Sequence, residues 1–297
     1  MTVREARGQA ADALSQLGSA RLDADVILKW ILGVDETQLL FHGETELTQV
    51  QQQRLHEAVC QRQRGLAVCY ITGQKEFYGL DFQVTRDVLP PKSDTELLVE
   101  NTIAAVRQRL GCLSAGDQVA LCDMCAGSGC VGVSVMSELE REGSVSLVLA
   151  DISEAALRVA KHNAMRLLRQ PALQHVSFVQ SDLFDAIPTA MRFDVVVSNP
   201  PYIPRDEALW LLTDGRGEPL LALAGDEAVG GDGLGVTRRL VSQAASHLKT
   251  GGQLILETGD GQAGAVRQLF EQSGFECVSV SRDLAGKMRN VQGTLGS

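Results

Sequence analysis

The chain has no apolar run approaching the length of a bilayer span, no low-complexity stretch and no run of basic residues. The first absence argues against a membrane-spanning helix. The second leaves an ordinary folding polypeptide. With 44% hydrophobic and 22% charged residues in 297, it is long enough for one large domain or two smaller ones with real cores. The third absence, joined to a formal net charge of -10, disfavours direct binding of nucleic acid, because an acidic surface repels phosphates unless a basic patch interrupts it. The same charge is compatible with a basic protein partner. The first residues, Met1 to Gly18, mix Glu5 with Arg4 and Arg7 and have no apolar core. They do not read as a signal peptide, and a cytoplasmic location is expected.

A disulfide framework is also missing. The seven cysteines are odd in number and scattered: Cys60, Cys69, Cys112, Cys122, Cys125, Cys130 and Cys277. Cys122 and Cys125 have the C-x-x-C spacing of a zinc site, with Cys130 nearby. A closed site needs four ligands, and the chain has neither a second C-x-x-C nor an H-x-x-x-H. No metal is expected, and these cysteines read as small buried residues.

What is present begins with helices. Ala24, Ile27, Leu28, Ile31 and Leu32 fall on one helical face, with Trp30 beside it. Thr48 and Gln51 have capping-box spacing ahead of a helix running toward Arg64, with Leu55 and Val59 on its inner side and Gly65 as its stop. Residues 1–72 are therefore expected to form a small all-helical domain. From Glu76 to Val88 the pattern changes: Phe77, Leu80, Phe82, Val84 and Val88, interrupted by Gly79, predict a β-hairpin ended by Pro90-Pro91. Residues 73–93 are read as a linker. Asp94 is expected to cap a helix running to about Arg109.

Beyond Gly116 short apolar runs alternate with helical segments, over residues 119–122, 147–150, 176–179, 193–198, 254–256, 275–280 and 291–295. Alternation of this kind predicts an α/β domain over 94–297, a parallel sheet covered on both faces. Ligands of such sheets bind at the carboxyl ends of the strands, near the switch point.

Two motifs fall at that rim. Asp123 to Gly129 leaves the first strand, and Gly127, Gly129 and Gly132 complete G-x-G-x-x-G. Glycine there lets the backbone turn tightly and approach a ligand, and the helix that follows offers free N–H groups. Asp151 ends the next strand, placed to accept hydrogen bonds from ribose hydroxyls. Asp182 follows the third strand, where it can take an adenine amino group while Leu183 packs against the ring. This set specifies an adenosine-containing cofactor but not which one.

Asn199-Pro200-Pro201-Tyr202 decides between cofactors. It follows the Val-rich fourth strand, and two prolines cannot continue a central strand. They leave the Pro200 carbonyl free, and the Asn199 side-chain oxygen is a second acceptor. Two acceptors side by side match the two N–H bonds of a planar –NH2 group. An amide nitrogen is a poor nucleophile because its lone pair is delocalised. Accepting both hydrogens holds the nitrogen, favours its pyramidalisation and aims the lone pair at a sulfonium methyl. Orientation of this kind contributes roughly 7–11 kcal/mol in favourable cases. Tyr202 can lay its ring against the planar group and the passing cationic methyl. The expected chemistry is methyl transfer from S-adenosylmethionine.

With these residues the chain resembles the N(5)-glutamine methyltransferases of the HemK type, which modify peptide chain release factors. Ile71-Thr72-Gly73 with Glu76-Phe77-Tyr78-Gly79, Pro91 to Glu96, Glu218-Pro219 with Ala222-Leu223, Gly230 to Gly233, and Arg282 to Lys287 resemble further blocks of that family, in order. Lys92 and Ser93 stand where the family usually has Arg and Pro, and Cys125 and Ala126 where Gly and Thr are common. The resemblance implies a Rossmann-like, seven-stranded class I methyltransferase domain preceded by a helical domain that helps bind the release factor. It implies as target the glutamine of that factor's Gly-Gly-Gln tip. A monomer is expected. Carried over by position, Cys125, Ala126, Gly127, Ser128, Gly129, Asp151, Asp182, Leu183 and Asn199 would line the cofactor pocket. Asn199, Pro200, Pro201 and Tyr202 would hold the glutamine, with Asn199, Pro200 and Tyr202 acting in catalysis. Competing readings are glutamine methylation of a ribosomal protein, N(6)-adenine methylation of nucleic acid, a nicotinamide-dependent dehydrogenase, and a binding module without activity.

Overall fold

The computed structural model describes residues 1–112, 114, 116–142 and 144–296. The chain divides into two compact units: Met1–Gln74 with Leu211–Gly217, and Lys75–Trp210 with Glu218–Ser297.

The first unit holds helices α1 (Val3–Ala13), α2 (Ala20–Leu32), α3 (Glu36–Phe41), α4 (Gln49–Gln63) and α5 (Val68–Thr72). Three begin with reciprocal capping boxes, Thr2 with Glu5, Asp35 with Gln38 and Thr48 with Gln51, each satisfying two otherwise orphaned N–H groups. Ala6, Ala10 and Leu14 pack with Ala24, Ile27 and Leu28 of α2 and with Leu55 and Val59 of α4. Arg62 Nε donates to the buried Asp23 carboxylate at 2.7 Å, so a charge inside this small core is paired. Gly65 has φ +98, and a Cβ there would lie 1.8 Å from the Asp214 carbonyl oxygen. It therefore both stops α4 and admits the Leu211–Gly217 excursion.

The second unit opens with a hairpin, β1 (Gln74–Phe77) and β2 (Leu80–Gln83). Tyr78 and Gly79 both take positive φ, 51° and 70°, as a two-residue turn matching strand twist requires. Phe77 and Phe82 meet edge to face with centroids 6.1 Å apart and join the main core. After a single 3-10 turn over Ser93–Thr95 comes α6 (Glu96–Leu110). The expected Asp94 cap is corrected here: no side chain caps α6, and the Asp94 carboxylate instead pairs with Arg289 at 3.1 Å. A cation stronger than a backbone N–H is within reach of Asp94, and it wins.

The remaining elements are β3 (Val119–Met124), α7 (Cys130–Leu139), β4 (Val145–Asp151), α8 (Glu154–Leu167), α9 (Gln170–Leu173), β5 (Val176–Gln180), β6 (Phe193–Ser198), α10 (Arg205–Leu211), α11 (Leu220–Leu223), α12 (Gly235–Ala244), β7 (Leu248–Glu257), α13 (Ala263–Gln272), β8 (Phe275–Arg282) and β9 (Met288–Leu295). Among the described residues β3 to β9 form a seven-stranded sheet of order β5-β4-β3-β6-β7-β9-β8. Side chains alternate between its faces. Leu121, Val195, Val197 and Ile255 enter one apolar layer, and Cys122, Val196, Leu254 and Leu256 enter the other.

The sheet is mixed rather than wholly parallel, which corrects the expectation from strand–helix alternation. Only the turn Asp283–Lys287 separates β8 from β9, too short for a helical crossover, so the two pair antiparallel. β9 then inserts between β8 and β7, antiparallel to both. No helix among the described residues is long and apolar enough to cross a membrane.

Asp194, near the start of β6, is wholly buried and accepts from Arg109 (2.9 Å), Lys249 (2.7 Å) and the Ala120 N–H (2.8 Å). It joins α6, β7 and β3 at the end of the sheet opposite the motif loops. Burial alone would raise its pKa, but Lys249, the Ala120 N–H and Arg109 outweigh it and hold the carboxyl below its ordinary value. A depressed carboxylate contributes stability above the unfolded-state pKa of about 3.9 and loses it as pH falls through the folded value. Asp194→Ala is expected to cost about 3 kcal/mol in urea unfolding at neutral pH, the low end for breaking a buried pair because both cations are partly exposed. The mutant and native curves should converge in acid; a constant gap from neutral pH to full protonation would contradict this role.

Candidate active site at the strand ends

The last residue of β3, Met124, stands beside Ala150 of β4 and Ser198 of β6 in the parallel register. Cys125, Asp151 and Asn199 therefore leave the sheet side by side. The strand order reverses between β3 and β6, so this rim is the switch point.

The loop after β3 is built by positive φ at Cys125 (60°), Gly127 (55°) and Gly129 (77°). Cys125 is the costly one, since a side chain in the left-handed region is strained and persists only where its surroundings force it. Asp151 supplies part of that force. Its Oδ2 accepts the Gly127 N–H and its Oδ1 the Ser153 N–H, both at 2.8 Å. The Ile152 N–H also bonds this carboxylate, which still leaves it a lone pair for a further donor. Beneath the loop, buried Asp123 accepts the Gly132 N–H at 2.8 Å, and burial pushes its carboxyl up to about 7. A Cβ on Gly132 would fall 2.7 Å from Leu149 Cδ2, so the third glycine serves helix–sheet packing. Fully buried Asn163 of α8 donates to the Ser128 carbonyl (2.9 Å) and pairs with both backbone groups of Gln83. One side chain thereby ties the glycine loop to the hairpin.

The loop borders a cavity of about 570 Å³, within the roughly 300–1,000 Å³ usual for small-molecule sites. Cys125, Ala126, Gly127, Ser128, Asp151, Asp182, Leu183, Asn199 and Pro201 line it, whereas Gly129, Pro200 and Tyr202 do not. Gly129 is instead the N-cap of α7. Asp182 Oδ2 is engaged by Arg239 of α12 at 2.8 Å. Leu183 is buried with φ 50°, a second strained side chain on the same wall. The thiols of Cys125 and Cys130 are pushed up, first by burial and then by neighbouring carboxylates, and stay protonated.

Asn199 Nδ2 donates to the Thr95 hydroxyl at 3.2 Å, which turns its Oδ1 away from Thr95. The turn is clamped from outside by Gln262, the N-cap of α13, and by α11 and the loop after it. The Tyr202 carbonyl accepts from Gln262 Nε2 at 2.9 Å, and Ile203 exchanges backbone bonds with Leu223 and Gly225. A Cβ on Gly225 or Gly233 would lie 2.8 Å from the Pro201 oxygen or 2.2 Å from the Tyr202 oxygen. The glycines of this block are needed for close approach. Tyr202 turns its hydroxyl back into the protein, 3.4 Å from Glu257 Oε1. Lys92 Nζ reaches the buried Glu218 carboxylate at 2.5 Å, a single-point ion pair on the cavity wall.

Sequence reasoning gave no role to Thr95 and Glu218, which lie in its motif blocks, and did not single out Asn163 or Glu257. Glu257 was findable: it is a carboxylate at the end of a parallel strand, the signal that singled out Asp151. Thr95 and Asn163 act from helix positions that only packing reveals.

A glycine cradle, a carboxylate with a lone pair to spare beside it and a cavity of this size fit an adenosine-bearing cofactor. Together with the mixed seven-stranded sheet they define a class I methyltransferase, with S-adenosylmethionine as methyl donor. Family models for the PrmC N-terminal domain and the methyltransferase small domain match residues 5–73 and 104–211. The release factor glutamine methyltransferase of Burkholderia pseudomallei is 36% identical over 99% of both chains, and that of Moorella thermoacetica 38% identical over 97% of both. The hMettl16 catalytic domain, solved with the MAT2A 3'UTR hairpin 1, shares the fold at 13% identity, with a TM-score of 0.54 over 91% of this chain and 93% of that one. The chain belongs to the release factor glutamine methyltransferase family.

Asp151→Ala is expected to weaken S-adenosylmethionine binding about 10–100-fold by calorimetry, the scale of one or two charge-assisted hydrogen bonds. Unchanged affinity would remove Asp151 from the cofactor site.

Proposed function

We propose that this chain methylates the side-chain amide nitrogen of the glutamine in the Gly-Gly-Gln motif of class 1 peptide chain release factors. The observation that carries this reading is the pair of acceptors at Asn199 and Pro200. Asn199 spends its N–H on Thr95 and presents Oδ1, and the Pro200 carbonyl accepts no hydrogen bond among the described residues. Family membership supports the choice of a protein glutamine over other planar amines.

When bound, S-adenosylmethionine supplies an electrophilic methyl group on a sulfonium sulfur. In this reading Asp151 accepts from its ribose hydroxyls while the Cys125–Gly129 loop surrounds it. Leu183 would pack against the adenine, and Asp182 would take the adenine amino group on the oxygen not held by Arg239. Asn199 Oδ1 and the Pro200 carbonyl accept the two amide N–H bonds of the glutamine and hold its nitrogen facing the methyl. Pro201 lines the approach, and the Tyr202 ring flanks the planar group. Transfer would break the methyl–sulfur bond, leaving its electron pair on sulfur as a neutral thioether, while the newly methylated nitrogen sheds one proton to water and the neutral amide is restored. No strong base is required beforehand, since that proton becomes acidic only as the bond forms. The helical unit serves release factor binding, and the enzyme works as a monomer in the cytoplasm without contacting nucleic acid.

The test is incubation with methyl-labelled S-adenosylmethionine and, separately, a release factor, a ribosomal protein fraction and nucleic acid. Label should enter the release factor and be absent from a Gly-Gly-Ala version of it. Label in nucleic acid, or none on the release factor, would overturn the reading. Asn199→Ala should lower kcat by at least about 10²-fold, as loss of a preorganised polar contact does, and leave most of the cofactor affinity. Unchanged turnover in that variant would refute the assigned role.

A further inference from the structure

Glu257 ends β7 directly beneath the Asn199–Tyr202 turn, and only 2% of its surface is exposed. A buried carboxyl is expensive and is normally well provided with hydrogen bonds. This one is underprovided: Oε1 receives the long bond from Tyr202, and Oε2 has no partner among the described residues. Its cross-strand neighbour in β9, Asn290, is fully buried with neither side-chain atom paired. A core needing only to be filled would be more stable with apolar residues at both places.

The groups that face Glu257 are informative. Tyr202 reaches it from the loop after β6. The Thr95 hydroxyl lies close to it from the turn before α6, and the same hydroxyl holds the Asn199 amide. The nearby charges are Asp94 on that turn and Arg289 on β9, Arg289 being itself bound by Asp94 at 3.1 Å and Asp283 at 3.2 Å, and from α7 the Cys130 thiol, kept protonated by burial, also faces Glu257. Both polar side chains of the reaction motif thus converge on one buried carboxyl, Tyr202 directly and Asn199 through Thr95. Glu257 does not line the cavity, so it acts through them.

We propose that Glu257 is a positioning residue for methyl transfer, whose carboxylate anchors the Tyr202 and Thr95 hydroxyls and so aims the Asn199 acceptor at the substrate amide. The proposal rests on the assignment of Asn199 as the amide acceptor. The ionised carboxyl accepts from both hydroxyls and leaves the Thr95 lone pairs for the Asn199 N–H. The protonated carboxyl must instead donate, and the hydroxyl oxygens of Thr95 and Tyr202 are the acceptors facing it. Accepting from the carboxyl turns the Thr95 O–H away from Glu257, toward the side from which the Asn199 N–H is donated, and loosens the motif. Burial pushes this carboxyl up to about 7, against the pull of Thr95, Arg289 and Tyr202, so the two forms exchange near neutral pH.

The experiment measures kcat, the KM for a release factor and the S-adenosylmethionine Kd across about pH 6 to 8, the range in which a carboxyl of this kind changes charge. It compares the native enzyme with Glu257→Gln, Thr95→Val and the double variant. Native kcat should rise through one ionisation while KM and Kd stay within about twofold, because only orientation in the reacting complex changes. Glu257→Gln, fixed in the neutral form, should have kcat lowered about tenfold and flat across that range. Thr95→Val should fall similarly, and the double variant no further, since residues acting through one chain of contacts are not additive. A flat native profile overturns the proposal even if every variant fails to fold. So does a Glu257→Gln enzyme with native kcat and native pH dependence, or losses that add fully in the double variant. If the native enzyme leaves the release factor unmethylated, it is the parent reading that falls.

Discussion

In-register parallel pairing of β3 with β4 on one side and β6 on the other is the constraint on which the site depends. Met124 lies beside Ala150 and beside Ser198, so three chain segments leave the sheet at one level. A shift of one residue would turn every side chain of a strand to the other face. Burial on both faces forbids that shift, because Leu121 and Val195 serve one apolar layer while Cys122 and Val196 serve the other. Asp194 pins the far end of the same three-strand core through Ala120, Arg109 and Lys249. The gathering of Cys125, Asp151 and Asn199 around one cavity is a consequence of where these strands stop.

The rim carries strain, and the strain is held by specific partners. Cys125 and Leu183 both line the cavity at positive φ. Asp151 grips the loop through Gly127, and Asn163 grips it through Ser128. On the substrate side, the Gly225–Gly235 loop closes over the Asn199–Tyr202 turn at distances that only glycine allows. Asp226 keeps that loop folded by accepting from Gly233 at 2.5 Å and Gly235 at 3.0 Å. Preorganisation of this kind matters for an amide, whose nitrogen needs accurate placement more than it needs a base.

Most of this was legible from local pattern. The Thr48–Gln51 capping box, the short apolar runs and the Gly79 interruption are short-range signals, and the structure has a helix, strands and a hairpin at those places. G-x-G-x-x-G and the carboxylate at Asp151 are legible because strand ends at a switch point carry ligands. Non-local competition was not legible. Asp94 looked like a cap because nothing in its neighbourhood announced Arg289, nearly two hundred positions away. The place of β9 depends on a turn too short for a crossover, which periodicity does not register. Leu211–Gly217 belongs with the helical unit because Gly65 admits the Asp214 backbone, a contact without a sequence signature. Thr95 and Glu257 were overlooked for the same reason, since their interest lies in what converges on them.

The central claim is that the methyl group arrives on a side-chain amide nitrogen presented to Asn199. The most direct measurement is a 15N-edited NMR spectrum of a release factor carrying 15N in its glutamine side chains, after treatment with this enzyme and 13C-methyl S-adenosylmethionine. One paired –NH2 signal should be replaced by a single N–H whose nitrogen couples to the labelled methyl carbon. Incorporation of the 13C methyl with every glutamine –NH2 pair intact would contradict the account.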